Sequence, residues 1–352
     1  MAVKSSREKR VTIKDVAALA DVSMSTVSLI LKDEQNNRFP EATRKRVLDA
    51  VKELQYQPAV YAQQMRGKHL QVIGLIIPDL ANHYYPEVTS GFTKQANELG
   101  YNVILLNSNN SISQEQSFGE ALIAMRVAGV AICGVYTIDE REKELIKRLQ
   151  SQGIPVVRFD RYEEDDISPY VGIDNYRAGY TLTEKLIHAG HRKIACIVPK
   201  EPVHIVAERR RGYLEAMQKY QLNPTICGFK NGDVESIHVK LSDLWSSGTR
   251  PTAIFTPGGD MDAIECIKSA DALGIEIPQD LSVAGFDDIY VASLIKPALT
   301  TVRQPKYEIG TRAMALLYKL IQKEEVVNDR ILLPVECIQR DSTRMLIENF
   351  DL

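Results

Sequence analysis

From residue 72 onward the chain alternates between short apolar runs and amphipathic stretches, and this alternation restricts the fold more than any other feature. The runs are 72–78, 103–106, 130–135, 155–159, 170–173, 194–198, 253–255 and 282–286. Apart from Arg158 and Ser282 they are continuously apolar rather than apolar at every second residue, as strands buried on both faces must be. Helical segments between most of them imply parallel sheets covered by helices. The number of runs exceeds one ordinary sheet, so two doubly wound α/β subdomains are expected. Polar residues gather where the runs end: Asp79, Asp160, Asp174, Asp287 and Asp288. Open α/β sheets bind ligands beyond the carboxyl ends of their strands.

Residues 11–55 follow a different period. Thr12 and Asp15 stand in a capping-box spacing, with Val16, Leu19 and Ala20 following at helical intervals. Asp21 and Val22 break the pattern. Ser23 suits an N-cap for a second helix, with Val27, Ile30 and Leu31 on one face. Pro40 suits the first position of a third helix, in which Val47, Val51 and Leu54 form an inward stripe. Three short helices with a tight first turn match a helix-turn-helix. Pro58 stops the third helix, and 58–66 reads as one further helix ended by Gly67. So short a helix does not stand alone in water, so it is expected to fold against a partner. The expected divisions are a head at 1–56, a connector at 57–71 and a body at 72–345.

Charge separates head from body. Residues 1–68 hold 13 Lys and Arg against 8 Asp and Glu, within a chain whose net charge is −3. A basic head on an acidic body points to a polyanion as the head's partner. With 44% hydrophobic and 25% charged residues the composition is that of a globular chain, and no run of about 18 apolar residues would cross a membrane. The first ten residues are basic and lead into no apolar segment, so neither a signal peptide nor a membrane partner is expected, and a cytoplasmic location is. Five cysteines (Cys133, Cys196, Cys227, Cys266, Cys337) without a CxxC pair read as reduced core residues.

The sequence has no P-loop, no GxSxG and no HExxH. His188 and His191 have HxxH spacing, but Gly190 marks a helix end there. Asp287 and Asp288 are adjacent rather than opposed as an acid–base pair. We therefore expect no enzyme, no cofactor and no metal. A transport binding protein is the other reading of the body, and the basic head argues against it.

The segment 11–28 (Val-Thr-Ile-Lys-Asp-Val-Ala-Ala-Leu-Ala-Asp-Val-Ser-Met-Ser-Thr-Val-Ser) resembles the DNA-binding head of the LacI/GalR family of bacterial transcription regulators. So do Thr43-Arg44, Leu54-Gln55-Tyr56-Gln57-Pro58, Asp174-Asn175, Gly190-His191, Arg209 to Gly212, Gly285-Phe286-Asp287, Thr300-Thr301 and Gln304-Pro305. The resemblance spans about 11–340.

For the head, the resemblance implies a second helix in the major groove, with Met24, Ser25, Ser28 and Leu29 toward the bases and Thr12, Ser23 and Thr43 on phosphates. Many members carry Arg where this chain has Leu29, which can make only apolar contacts, for example to a thymine methyl. An alternative role for Leu29 is helix stability alone. The connector resembles the family's hinge helix, which pairs with its twin in the minor groove. Tyr61 and Ala62 would lie on it, and Met65 would be the apolar wedge. A plain linker is the alternative.

For the body, the resemblance implies a periplasmic-binding-protein-like fold with a small ligand between subdomains, at about 72–173 with 301–325 and at about 174–300 with 326–345. The chain would cross between them near Asp174, near 297–301 and near 324–330. Cleft candidates are Tyr84, Tyr85, Asp160, Arg209, Asp287 and Gln304. Aromatic faces stack on rings, the Arg fork donates in pairs, and a carboxylate accepts hydroxyls. Packing for the tyrosines, a solvated charge for Arg209 and a turn for Asp287 are the alternatives. Val234 stands where several relatives have an aromatic, and Gly258-Gly259-Asp260 where some have Asn. The implied whole is a repressor that binds double-stranded palindromic operator DNA as a homodimer. A small polar metabolite would control its affinity, a sugar or sugar derivative first, with a sugar phosphate, a nucleobase or another polar metabolite as the alternatives.

Overall fold

The computed structural model describes residues 11–31, 38–56, 70–135, 140–162, 168–201, 203–230, 233, 235–248, 250–327 and 329–346. The chain divides into two compact units, 1–70 and 71–352.

In the first unit α1 (Ile13–Leu19), α2 (Met24–Ile30) and α3 (Glu41–Glu53) close around Val16, Val27, Ile30 and Val47, none of which is exposed. These residues recur at helical spacing, so each short helix contributes one apolar stripe to a shared core. Leu19, at helical spacing from Val16, is 47% exposed, and Val16, Ala17 and Ala20 fill the buried face of α1. Pro40 occupies the cap of α3 rather than its first turn, which starts at Glu41. The expected hinge helix at 58–66 lies outside the described residues.

The second unit contains two parallel sheets. The first has six strands: β1 (Leu70–Ile77), β2 (Asn102–Asn107), β3 (Val127–Ile132), β4 (Val156–Phe159), β5 (Tyr170–Ile173) and β11 (Arg330–Leu333), in the order β11-β5-β4-β3-β1-β2. Helices α4 (Tyr85–Glu98), α5 (Ile112–Met125), α6 (Glu140–Ser151) and α11 (Lys306–Ile321) belong to this half. The second sheet orders β6 (Ile194–Pro199), β7 (Thr225–Phe229), β8 (Ala253–Phe255) and β9 (Ser282–Ala284) as β7-β6-β8-β9. Its helices are α7 (Asn175–His188), α8 (His204–Lys219), α9 (Glu235–Ser246) and α10 (Asp260–Ala272). All eight apolar runs are strands. The strand β7 had no such run to announce it, because it is an edge strand whose first residues face solvent.

One expected boundary is corrected. Residues 330–333 do not belong with the second sheet: β11 runs parallel to β5 at the edge of the first, with Arg330 opposite Tyr170 and Leu333 opposite Ile173. The third crossing therefore follows β11, at Pro334 and Val335, and not at 324–330. Between the halves, β10 (Thr301–Arg303) pairs antiparallel with β12 (Glu336–Ile338). One apolar cluster runs from Ile73 and Phe92 in the first half to Val198 and Phe286 in the second. Cys133, Cys196 and Cys266 are buried, Cys227 and Cys337 are half-buried, and all five are free thiols.

Candidate functional site

The candidate residues fall into two groups, one in each unit. In the head, the backbone N–H of Thr12 donates to the Asp15 carboxylate at 2.8 Å, and the Thr12 hydroxyl donates to the same oxygen at 2.7 Å. Ser23 caps α2 by accepting the Thr26 N–H at 3.1 Å. That cap satisfies a first-turn N–H of a helix only two turns long. Val27 and Ile30 then face inward, while Met24 is 52% exposed and Leu29 42%. Ser25 is exposed and Ser28 half-buried on the same helix. Thr43 is half-buried in the first turn of α3, where its N–H donates to the Pro40 carbonyl at 2.9 Å. The outward face of α2 thus offers a thioether, two hydroxyls and an aliphatic side chain. Tyr61, Ala62 and Met65 lie outside the described residues.

In the body, all six cleft candidates converge. Tyr84 and Tyr85 are almost fully buried, with their rings edge to face at 5.2 Å. Tyr84 donates its hydroxyl to Gln304 Oε1 at 3.4 Å, and the Gln304 amide donates to Asp287 Oδ1 at 2.7 Å. Arg209 Nη1 lies 3.7 Å from the same Asp287 oxygen. Arg209 also donates through Nε to Asn175 Oδ1 at 2.8 Å and through Nη1 to the Pro257 carbonyl at 3.0 Å. Its guanidinium lies 3.7 Å from the centre of the Phe286 ring, within cation–π range. Tyr85 donates to Asp160 Oδ2 at 3.2 Å, and Asp160 adopts a left-handed backbone, φ 60°, while its carbonyl accepts the Tyr170 hydroxyl at 2.8 Å. The tyrosines and Asp160 come from the first half, Arg209 and Asp287 from the second, and Gln304 from the connection between them.

Helical spacing separates the three consecutive arginines. Arg209 is 2% exposed, whereas Arg211 points outward and pairs with Glu208 at 2.6 Å. The two consecutive aspartates also part company. Burial pushes the Asp288 carboxyl up, but Arg303 and Arg340, each at 2.6 Å, hold it below its ordinary value. Burial raises Asp287 to about 6, against the opposing pull of Arg209. Both residues have positive φ, 109° and 50°, a conformation that costs energy in non-glycine residues. Lys306 holds it: the buried amine donates to the carbonyls of Asp287 at 2.7 Å and Asp288 at 2.8 Å. Burial, then the nearby Asp160 and Asp287 charges, keep the Tyr84 phenol protonated far above its usual range.

Asn175, Phe286 and Lys306 were not among the candidates. Asn175 and Phe286 stand within motifs that carry the resemblance and Lys306 follows Gln304-Pro305, so those motifs were the available signal. Their roles depend on partners distant in sequence. The HxxH pair is structural: His191 is fully buried between Thr252 Oγ1 at 3.0 Å and the Arg344 carbonyl at 3.1 Å, while His188 meets the Tyr220 hydroxyl. Among the described residues no helix is long and apolar enough to cross a membrane, and no group of three or more His, Cys, Asp or Glu could hold a metal.

Residues 12–59 match the model for bacterial regulatory proteins of the lacI family, and 183–343 match a periplasmic binding protein-like domain. The HTH-type transcriptional regulator RegA of Clostridium saccharobutylicum is 32% identical over 94% of this chain and 99% of its own. A lac repressor dimer bound to operator and the anti-inducer ONPF superposes with a TM-score of 0.81 at 26% identity, over 96% of this chain and 100% of the other. A LacI family regulator from Enterococcus faecium with bound ribose gives a TM-score of 0.68 at 27% identity, over 78% and 100%. Relatives of this length and coverage are transcriptional regulators and not enzymes, and the chain belongs to the lacI family of bacterial regulatory proteins.

Proposed function

We propose that the protein is a cytoplasmic repressor that binds a palindromic operator as a homodimer and is controlled by a sugar-like metabolite in the cleft. The observation that carries this reading is the linked set Tyr84–Gln304–Asp287–Arg209, which joins both halves of the body through buried polar groups. A ligand that inserted hydroxyls into that set would change the relation of the halves, and linkage then requires DNA and ligand affinities to change reciprocally. The operator-bound lac repressor and the ribose-bound regulator support the two halves of the reading.

In this reading Met24, Ser25, Ser28 and Leu29 meet base edges. Thr12, Ser23 and Thr43 meet phosphates. Residues 57–71 act as the hinge, with Tyr61 and Ala62 at the helix pair and Met65 as wedge. Tyr84, Tyr85, Asp160, Arg209, Asp287 and Gln304 hold the effector. Two heads are needed for a palindrome, which a homodimer supplies.

The test is a binding selection from random duplexes with the full chain, followed by titration of the selected duplex with sugars. A palindromic consensus is expected, its binding lost on removing residues 1–68 and shifted by at least one sugar. Met65→Gly should weaken the selected duplex more than random DNA. A non-palindromic consensus, or affinity untouched by every sugar, would refute the corresponding part.

A further inference from the structure

A cavity of about 350 Å³ shares no lining residue with the buried polar cluster of the body. It opens between the last two turns of α7, the connecting strand β12 and residues 343–345 beyond it. Its size is at the low end for small-molecule sites. The wall is mainly aliphatic, with Leu182 and Leu186 of α7, Ile338 of β12, and Met345. The neutral polar groups at its edge are engaged with protein. Thr300 and Thr343 share a hydrogen bond at 2.8 Å, the Gln339 amide donates to the Thr343 hydroxyl at 2.6 Å, and His188 shares one with the Tyr220 hydroxyl at 2.8 Å.

The charged groups are not engaged. No carboxylate lines the cavity, whereas Lys185 and Arg344 do, and both are exposed. Among the described residues neither the Lys185 amine nor the Arg344 guanidinium has a hydrogen bond or an ion pair. A cation in the last turn of a helix is favoured by the helix dipole, which accounts for Lys185. It does not account for Arg344, which lies outside any helix and is held at the cavity by its backbone. The Arg344 N–H donates to the Ser282 hydroxyl at 3.1 Å, its carbonyl meets His191 Nε2 at 3.1 Å, and the Leu346 N–H donates to the Ala189 carbonyl at 2.7 Å. The same dipole would oppose an anion, but the carbonyls at that end of α7 are taken. Leu186 accepts the His191 N–H at 3.1 Å, and Ile187 accepts the Arg192 guanidinium at 2.7 Å.

An aliphatic wall, two unpaired cations and no acid complement a molecule that is apolar at one end and anionic at the other. We propose that this cavity is a second ligand site, for a medium-chain aliphatic carboxylate. The chain packs against Leu182, Leu186 and Ile338, and the carboxylate meets Lys185 and Arg344. Thr300 and β12 belong to the connections between the two halves, so the ligand touches those connections from outside the cleft.

The experiment is calorimetric titration of the full chain at neutral pH with octanoate, hexanoate, 1-octanol and octylamine. Octanoate should bind about 10-fold more tightly than hexanoate, because two further methylenes are buried. It should also bind about 10-fold more tightly than octanol or octylamine, through its charge. Lys185→Gln and Arg344→Gln should each weaken octanoate by about 3-fold, as exposed charge pairs do, without moving the melting temperature. The double variant should bind octanoate no more tightly than octanol. An absence of octanoate binding, equally tight binding of octanol or octylamine, or an octanoate affinity unchanged in the double variant overturns the proposal. Binding that appears only when residues 347–352 are removed would give the cavity to the chain's own end and overturn it as well.

Discussion

The outward face of α2 in the head and the buried polar cluster of the body are built in opposite ways. Met24, Ser25, Ser28 and Leu29 all lie on one helix, and the side chains that would meet a partner are those the core leaves over. The cleft is assembled from β-strand ends and helix starts far apart in the chain. Tyr84 and Gln304, which share a hydrogen bond, are 220 positions apart. A local surface needs only one helix to be rotated correctly. A composite one needs every element in register, and its side chains are buried against each other. The head should therefore fail by losing its helices, and the cleft by losing one buried partner.

The largest effect should come from a charge in the head core. Val27→Asp would bury an unpaired carboxylate at a site with no exposure, costing about 3–5 kcal/mol, enough to unfold a head of this size. Operator binding should vanish in an anisotropy assay, while the thermal transition of the body stays in place. A body transition that moved as well would break the comparison.

Next is Arg209→Leu, which leaves Asp287 and Asn175 without their buried partner and should cost the body about 3 kcal/mol in urea unfolding. Operator binding without ligand should persist, and any sugar response should disappear.

A smaller, pH-dependent effect belongs to Asp260. Its carboxylate accepts the Thr301 hydroxyl and the Ile289 N–H, yet burial, then the Asp287 charge, raise it to about 8. A raised acid binds more protons folded than unfolded. Its contribution is therefore complete below about pH 4 and lost as pH rises to about 8. Asp260→Asn retains an acceptor and does not titrate, so its stability relative to wild type should grow between pH 5 and pH 8. Parallel melting curves of the two proteins across that range would refute the assignment. His191 works at the acid end: burial lowers it to about 4, so the stability of its neutral form is lost as pH falls from about 6.5 to about 4.

In the head, Ser23→Ala removes the cap of α2 and should cost about 1 kcal/mol in the unfolding of the head, with DNA affinity following stability. The smallest effect is expected of Leu29→Ala, which removes exposed aliphatic surface. A loss of about 0.5 kcal/mol, since only part of the side chain is covered, should appear on the selected operator and none on random DNA. Equal losses on both would make Leu29 a helix residue only.

How much was legible follows from the same contrast. The three head helices, the Ser23 cap and the eight apolar strands announce themselves through spacing, because each depends on neighbours within one turn or one strand. The strand β11 was misplaced because its residues alternate between half-buried and exposed at a sheet edge, and only its ladder with β5 assigns it to the first sheet. All six cleft candidates do meet, but the family resemblance, not periodicity, nominated them.

The sequence by itself determined the basic helix-turn-helix head, the parallel α/β body and the order of their elements. Hydrophobic period and capping are properties of short stretches of chain. Only the tertiary structure decided which of three arginines joins the buried polar cluster, which of two aspartates stays free of a surface ion pair, and that Lys306 binds the carbonyls of both aspartates. Those choices rest on burial and pairing between residues that meet only after folding. A buried charge is tolerable only where a partner stands, and the chain's topology, not its local pattern, puts the partner there.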